Sequence, residues 1–148
     1  MGIVRWKNKL VRFGRLDGAD QWLLLCAAGW LLVARIRLVS TPFSALSERL
    51  SAGGDVATEE ADEEVLRRIG FAVRAAAGNV PWRSDCFPQT IAAQELLKRQ
   101  GHRSTIHLGV EQASEDKIAG HAWLTSGGVV VVGGEDLARY TEIHNFHL

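Results

Sequence analysis

The thirteen residues from Trp22 to Ala34 carry no charge and are almost all apolar, and any fold open to this chain has to find cover for them. A bilayer-spanning helix needs about 20 such residues, and Arg35 and Arg37 close the run too early. Its apolar positions go nearly all the way round a helix, which is the pattern of a helix buried among others. Peripheral membrane contact through 22–34 is the lesser alternative. Asp17 or Asp20 supplies an amino-terminal cap, and the helix is expected to run to about Leu38.

The rest of the first half is also helical in pattern. Thr41-Pro42 reads as a cap with proline in the first turn, opening a short helix to about Leu50. Ser51-Ala52-Gly53-Gly54-Asp55 is a loop. Thr58 then caps a helix whose stripe is Leu66, Ile69, Val73 and Ala76, and Gly78 stops it. The second half changes period. Val80-Pro81 is extended, and Ser84 or Asp85 can cap a helix from Cys86 to about Gln100, with Pro88 tolerated in its first turn and Gly101 ending it. Three strand-like runs follow, Ser104–Val110, His121–Thr125 and Val129–Val132, the last two joined by a Ser126-Gly127-Gly128 turn. This order predicts one α+β domain over 1–148, helical over 1–79, with a nucleophile helix and small antiparallel sheet over 80–148.

Composition narrows the function classes. Of 148 residues, 47% are hydrophobic and 23% charged, enough to fill a core, and 17 basic residues balance 17 acidic ones. A net charge of zero makes no case for nucleic acid. The charges are unevenly placed, however. Arg5, Lys7, Lys9, Arg12 and Arg15 form a basic arm without an acid, suited to an acidic peptide, a partner or a lipid surface if it is more than a solvated terminus. Cys26 and Cys86 do not form a disulfide framework or a zinc-binding spacing, so a reducing, cytoplasmic setting with no metal is the default.

Cys86 is the residue with the clearest chemical promise. At the start of a helix, partial positive charge and unpaired N–H groups favour thiolate over thiol, and the same groups can stabilise an oxyanion. A lone cysteine is more often a small buried hydrophobe, as Cys26 is expected to be. What raises the odds is His121, opening a strand some 35 residues later, an arrangement in which a helix brings a nucleophile to a sheet that presents the base. Trp82 and Gln89 are candidates for substrate or oxyanion contacts, though a structural aromatic before the helix and a solvated helix position are the simpler readings. Trp123 is expected in the core. His102 and His107 receive no catalytic role, and His144 and His147 belong to a tail expected to be loose.

Five motifs together, Val80-Pro81-Trp82-Arg83-Ser84-Asp85-Cys86, Ala92 through His102, Leu108-Gly109-Val110, Gly120-His121-Ala122-Trp123-Leu124 and Tyr140-Thr141, resemble the lasso-peptide maturation proteases. These are transglutaminase-like cysteine proteases with a papain-like core. The resemblance is strongest over 80–142. It implies Cys86 as nucleophile, His121 as general base, no cofactor, and an aspartate after the histidine to orient it. Val129–Val132 holds no acid, so that third position falls to Asp136 or, as the alternative, Glu135. The resemblance further implies removal of a leader from a precursor peptide, together with an ATP-dependent lasso cyclase. A helical first half in place of a leader-recognition domain implies the split form, with a separate leader-binding protein. Two other functions stay open: a transglutaminase or amidase using the same Cys/His pair, and a non-catalytic scaffold of the maturation complex.

Overall fold

The computed structural model describes residues 12–42, 44–46, 48, 61–114 and 117–147. Helix α1 spans Gly18–Ser40, α2 Glu63–Ala77 and α3 Cys86–Arg99, followed by strands β1 Thr105–Ser114, β2 Lys117–Ser126, β3 Val129–Val132 and β4 Thr141–His147. The helical half thus precedes an antiparallel sheet of order β3-β2-β1-β4, and the chain is α+β as the order of its elements predicts.

Each helix begins and ends for a local reason. Asp17 caps α1 by accepting from the Asp20 backbone N–H at 2.8 Å, and the Asp20 carboxylate then takes two bonds from the Arg68 guanidinium of α2, at 3.0 and 2.6 Å. Thr41, extended at φ −126° ahead of Pro42, ends α1. Residues 44–46 and 48 are helical, while the other positions up to Leu50 in the helix expected there, the 51–55 loop and the Thr58 cap lie outside the described residues. Asp62 stands at the amino end of α2, where Leu66, Ile69, Val73 and Ala76 are all buried, as their spacing predicts. Gly101, at φ +79°, follows α3.

One apolar cluster joins the layers. Ala27, Leu31 and Ala34 of α1 meet the α2 stripe, Ile91 and Leu97 of α3, and Ile106, Leu124, Val132 and Phe146 of the sheet. The Arg99 and Arg37 guanidiniums lie 4.8 and 5.9 Å from the ring centre of Trp30, and Arg37 also reaches Glu95 of α3 at 3.3 Å. The free edge of β3 is covered. Val131 is the extra residue of a β-bulge, and its carbonyl accepts from Arg74 of α2 at 2.8 Å. Gly70 allows that approach, because a Cβ there would sit 2.4 Å from the same oxygen.

Three expectations need correcting. Helix α1 is buried on one side only. Trp22, Leu25, Leu32, Ile36 and Val39 are exposed, and Cys26 is half-buried against the core. By length and composition this helix is long and apolar enough to cross a membrane, yet its opposite face packs inside the protein. Next, the stretch left between the expected strands ending at Val110 and beginning at His121 mostly extends the hairpin of β1 and β2, in register from Thr105↔Thr125 to Gln112↔Ile118, with an irregularity before Ser114↔Lys117. Finally, the tail carrying His144 and His147 is an edge strand paired with β1, with His147 Nδ1 2.9 Å from Thr105 Oγ1. Only Phe146 of β4 is buried, so its sequence lacks the alternation that marks a half-buried strand.

Candidate active site

Cys86 is the first residue of α3 and is half-buried. Asp85, before it, is extended at φ −69°, ψ −171° and makes no side-chain cap. Its carboxylate instead meets Arg83 at 3.2 Å, so the dipole end beside the thiol is not neutralised by a capping acid. The lead-in is braced from within: Gln89 Nε2 donates to the Ser84 carbonyl at 2.8 Å, and buried Thr90 Oγ1 donates to the Phe87 carbonyl at 2.8 Å. Gln89 is thereby a brace of the loop that aims Cys86. Trp82 is half-buried, and its indole N–H, like the Ser84 hydroxyl, is buried with no hydrogen-bond partner among the described residues.

His121 lies on β2 in register with Gly109 of β1. Its Nε2 is 2.8 Å from the Gly133 carbonyl oxygen. A carbonyl only accepts, so this nitrogen carries a proton, and in the neutral imidazole Nδ1 keeps its lone pair. The contact is forced by the backbone. Gly133 has φ +75°, and a Cβ there would fall 2.4 Å from the Ala122 oxygen and 2.9 Å from Trp123 Cα. Only glycine lets the chain leaving β3 double back closely enough to place a carbonyl on the imidazole.

The group within hydrogen-bond reach of the imidazole is thus a backbone carbonyl, where the resemblance implies an acid. Asp136, in the left-handed region at φ 53°, precedes a 3-10 turn at Leu137–Arg139, and its carboxylate faces Arg139 at 3.8 Å. Glu135 is exposed. Among the described residues no carboxylate pairs with His121. The glycine pair after Val129–Val132 was the available signal for this, since adjacent glycines at the end of a strand mark a close backbone approach.

Rings fix the imidazole on its remaining sides. Tyr140 stacks on it at 4.6 Å between centres, and Trp123 lies at 6.2 Å. Trp123, buried as expected, belongs to this ring stack and not to the main apolar cluster. It also stacks on His107 at 5.2 Å and 4°. Gly109 makes room, because a Cβ there would lie 2.8 Å from the Trp123 ring. His107 reaches Thr125 Oγ1 at 2.8 Å through Nε2, and its Nδ1 is 3.1 Å from Glu142, too poorly aligned to hydrogen-bond. Asn145 donates to Glu142 at 2.9 Å. That bond first, and His107 after it, hold the Glu142 carboxyl below its ordinary range.

Helix α3 packs across β2 and β3 on the side shared by Leu124, whereas His121 lies with Trp123 on the alternate positions of β2, so the fold makes helix and strand neighbours without bringing the two side chains into contact. No hydrogen bond joins Cys86 to His121 in this structure. Among the described residues no cluster of histidine, cysteine and carboxylate could hold a metal ion.

The profile of the transglutaminase-like superfamily matches residues 28–145, most of the chain. The protein belongs to the transglutaminase-like superfamily. Members of this superfamily are generally cysteine-protease-like or acyltransferase-like, and both chemistries need an activated thiol with a proton acceptor. No curated protein matches, and no solved structure does. As a transglutaminase-like protein, the chain offers one thiol at a helix start, Cys86, while Cys26 sits within α1.

Proposed function

We propose that this transglutaminase-like protein is a cytoplasmic cysteine peptidase that removes the leader from a lasso-peptide precursor. The observation carrying the chemistry is the fixed tautomer of His121: Nε2–H is held by the Gly133 carbonyl, leaving Nδ1 to take a proton. The proposal requires that substrate binding bring thiol and imidazole together, whereupon Nδ1 accepts the Cys86 proton, a contact that free-enzyme geometry alone does not rule out. The thiolate attacks the carbonyl at the leader–core junction. The C–N bond then breaks as the imidazolium protonates the departing amine, leaving a thioester on Cys86. His121 next takes a proton from water, the resulting hydroxide attacks the thioester, and the proton returns to sulfur. Backbone N–H groups at the start of α3 lie where an oxyanion is best stabilised.

The motifs around Cys86 and His121 support the lasso-peptide substrate and the two partners, a separate leader-binding protein and an ATP-dependent cyclase. Remote binding of the leader by such a partner raises the local concentration of the junction, so few contacts at the cut suffice. Mass spectrometry of a candidate precursor incubated with the protein and its leader-binding partner tests this. Leader release that disappears in Cys86→Ala is the expected result, whereas an intact precursor with folded enzyme and partner contradicts it. A product heavier by an amine would assign transglutaminase chemistry to the same pair. The scaffold reading draws its support from the missing Cys86–His121 hydrogen bond and from the lack of a carboxylate on His121. Cys86-independent assembly of the precursor with the cyclase would favour it.

A further inference from the structure

From Trp22 to Val39, every exposed residue of α1 is apolar or glycine: Trp22, Leu25, Gly29, Leu32, Ile36 and Val39. The five side chains are 69%, 57%, 42%, 56% and 71% exposed, and nothing lies within 4 Å of a Cβ added at Gly29. Their spacing alternates three and four throughout. That is a strict two-position heptad seam, the pattern of a helix meeting one other helix, and it is narrower than the apolar face with which an interfacial helix enters lipid.

We infer that this seam pairs with the same seam of a second copy of the chain, with the two helices antiparallel. The alternation reads identically in both directions, so a two-fold axis midway between Gly29 and Leu32 maps the seam onto itself, as an isologous interface requires. Trp22 then faces Val39 of the second copy, Leu25 faces Ile36, and Gly29 opens the hole that Leu32 fills. Large residues stand opposite smaller ones in the outer and central layers, and no seam position carries a charge that would oppose its own kind. The exposed fractions leave roughly 500 Å² of side-chain surface per copy, so pairing through these residues alone removes at most about 1,000 Å² in all, at the threshold for a specific interface. The opposite side of α1 stays in the protein's own core through Ala27, Leu31 and Ala34, so pairing needs no unfolding.

The test is sedimentation velocity of the full chain over a concentration series, with Leu25→Glu, Ile36→Lys and the double variant. These positions are eleven residues apart on one helix and meet only across the antiparallel pair. Wild type is expected to dimerise with concentration, and each single change to weaken the dimer by about a hundredfold or more. The double variant should recover most of that loss, because the introduced carboxylate of one copy would then face the introduced ammonium of the other in two symmetric layers. Thermal melts at low concentration check that each variant is folded. A wild type that stays monomeric overturns the inference, including one that instead binds vesicles of phosphatidylcholine and phosphatidylglycerol through this face. A folded double variant as monomeric as the singles overturns the antiparallel pairing.

Discussion

Ala122 and Leu124 of β2 lie on the helix side of the sheet, whereas His121 and Trp123 point from the other side into a stack of rings with Tyr140 and His107. The two faces are built on opposite terms. Leu124, with Ile106 and Phe146 beside it in register, contributes through area removed from water. The other face holds titratable and aromatic groups whose positions depend on two glycines, Gly109 and Gly133. On the proposed function one strand carries stability on one side and chemistry on the other, so substitutions on its two sides should fail in different assays.

The largest expected effect separates the faces directly. His121→Ala should lower turnover by about 10²- to 10⁴-fold while leaving the denaturant midpoint nearly unchanged, as steady-state kinetics and urea unfolding of the same preparation would show. Leu124→Ala should do the reverse. Its side chain is fully buried, so truncation should cost about 3 kcal/mol of stability, with turnover per folded molecule close to wild type. Comparable damage in both assays from either variant would erase the distinction.

Gly133→Ala sharpens the comparison because this residue serves both faces. Its φ of +75° and the 2.4 Å approach to the Ala122 oxygen should cost about 1–3 kcal/mol of stability, and moving the carbonyl off His121 should lower turnover about tenfold or more. The smallest effect belongs to Glu142. Its carboxyl is held below the ordinary 4.5 by Asn145 and His107, so its contribution is present above that value and is lost as pH falls through the lowered folded value. Much of the group is in water, so screening keeps this contribution small. Glu142→Gln should flatten the acid limb of a stability-against-pH curve slightly and leave stability at neutral pH within about 1 kcal/mol.

How much of this was legible follows from which interactions are local. The stripe of α2, the start of α3 at Cys86 and the paired glycines of the β2–β3 turn, with φ of 55° and 78°, are written in neighbouring residues, and each lies where its pattern puts it. β4 was missed because its ladder is made by a partner strand some 35 residues away, and only Phe146 faces the core. The Gly133 carbonyl was missed for another reason. A search for a third catalytic residue looks for side chains, and a backbone carbonyl leaves no mark in the sequence except the glycine that lets it approach. Similarly, the apolar residues around α1 do not say which side the core covers; that depends on where α2 and α3 dock.

The central claim is that Cys86, not Cys26, is an activated thiol served by His121, and the rate of alkylation at each cysteine tests it without knowledge of the substrate. In a time course with iodoacetamide at neutral pH, read by peptide mass spectrometry, Cys86 should label about tenfold or more faster than Cys26, and His121→Ala should slow Cys86 alone. Equal rates at the two cysteines, or a Cys86 rate indifferent to the loss of His121, would contradict the account.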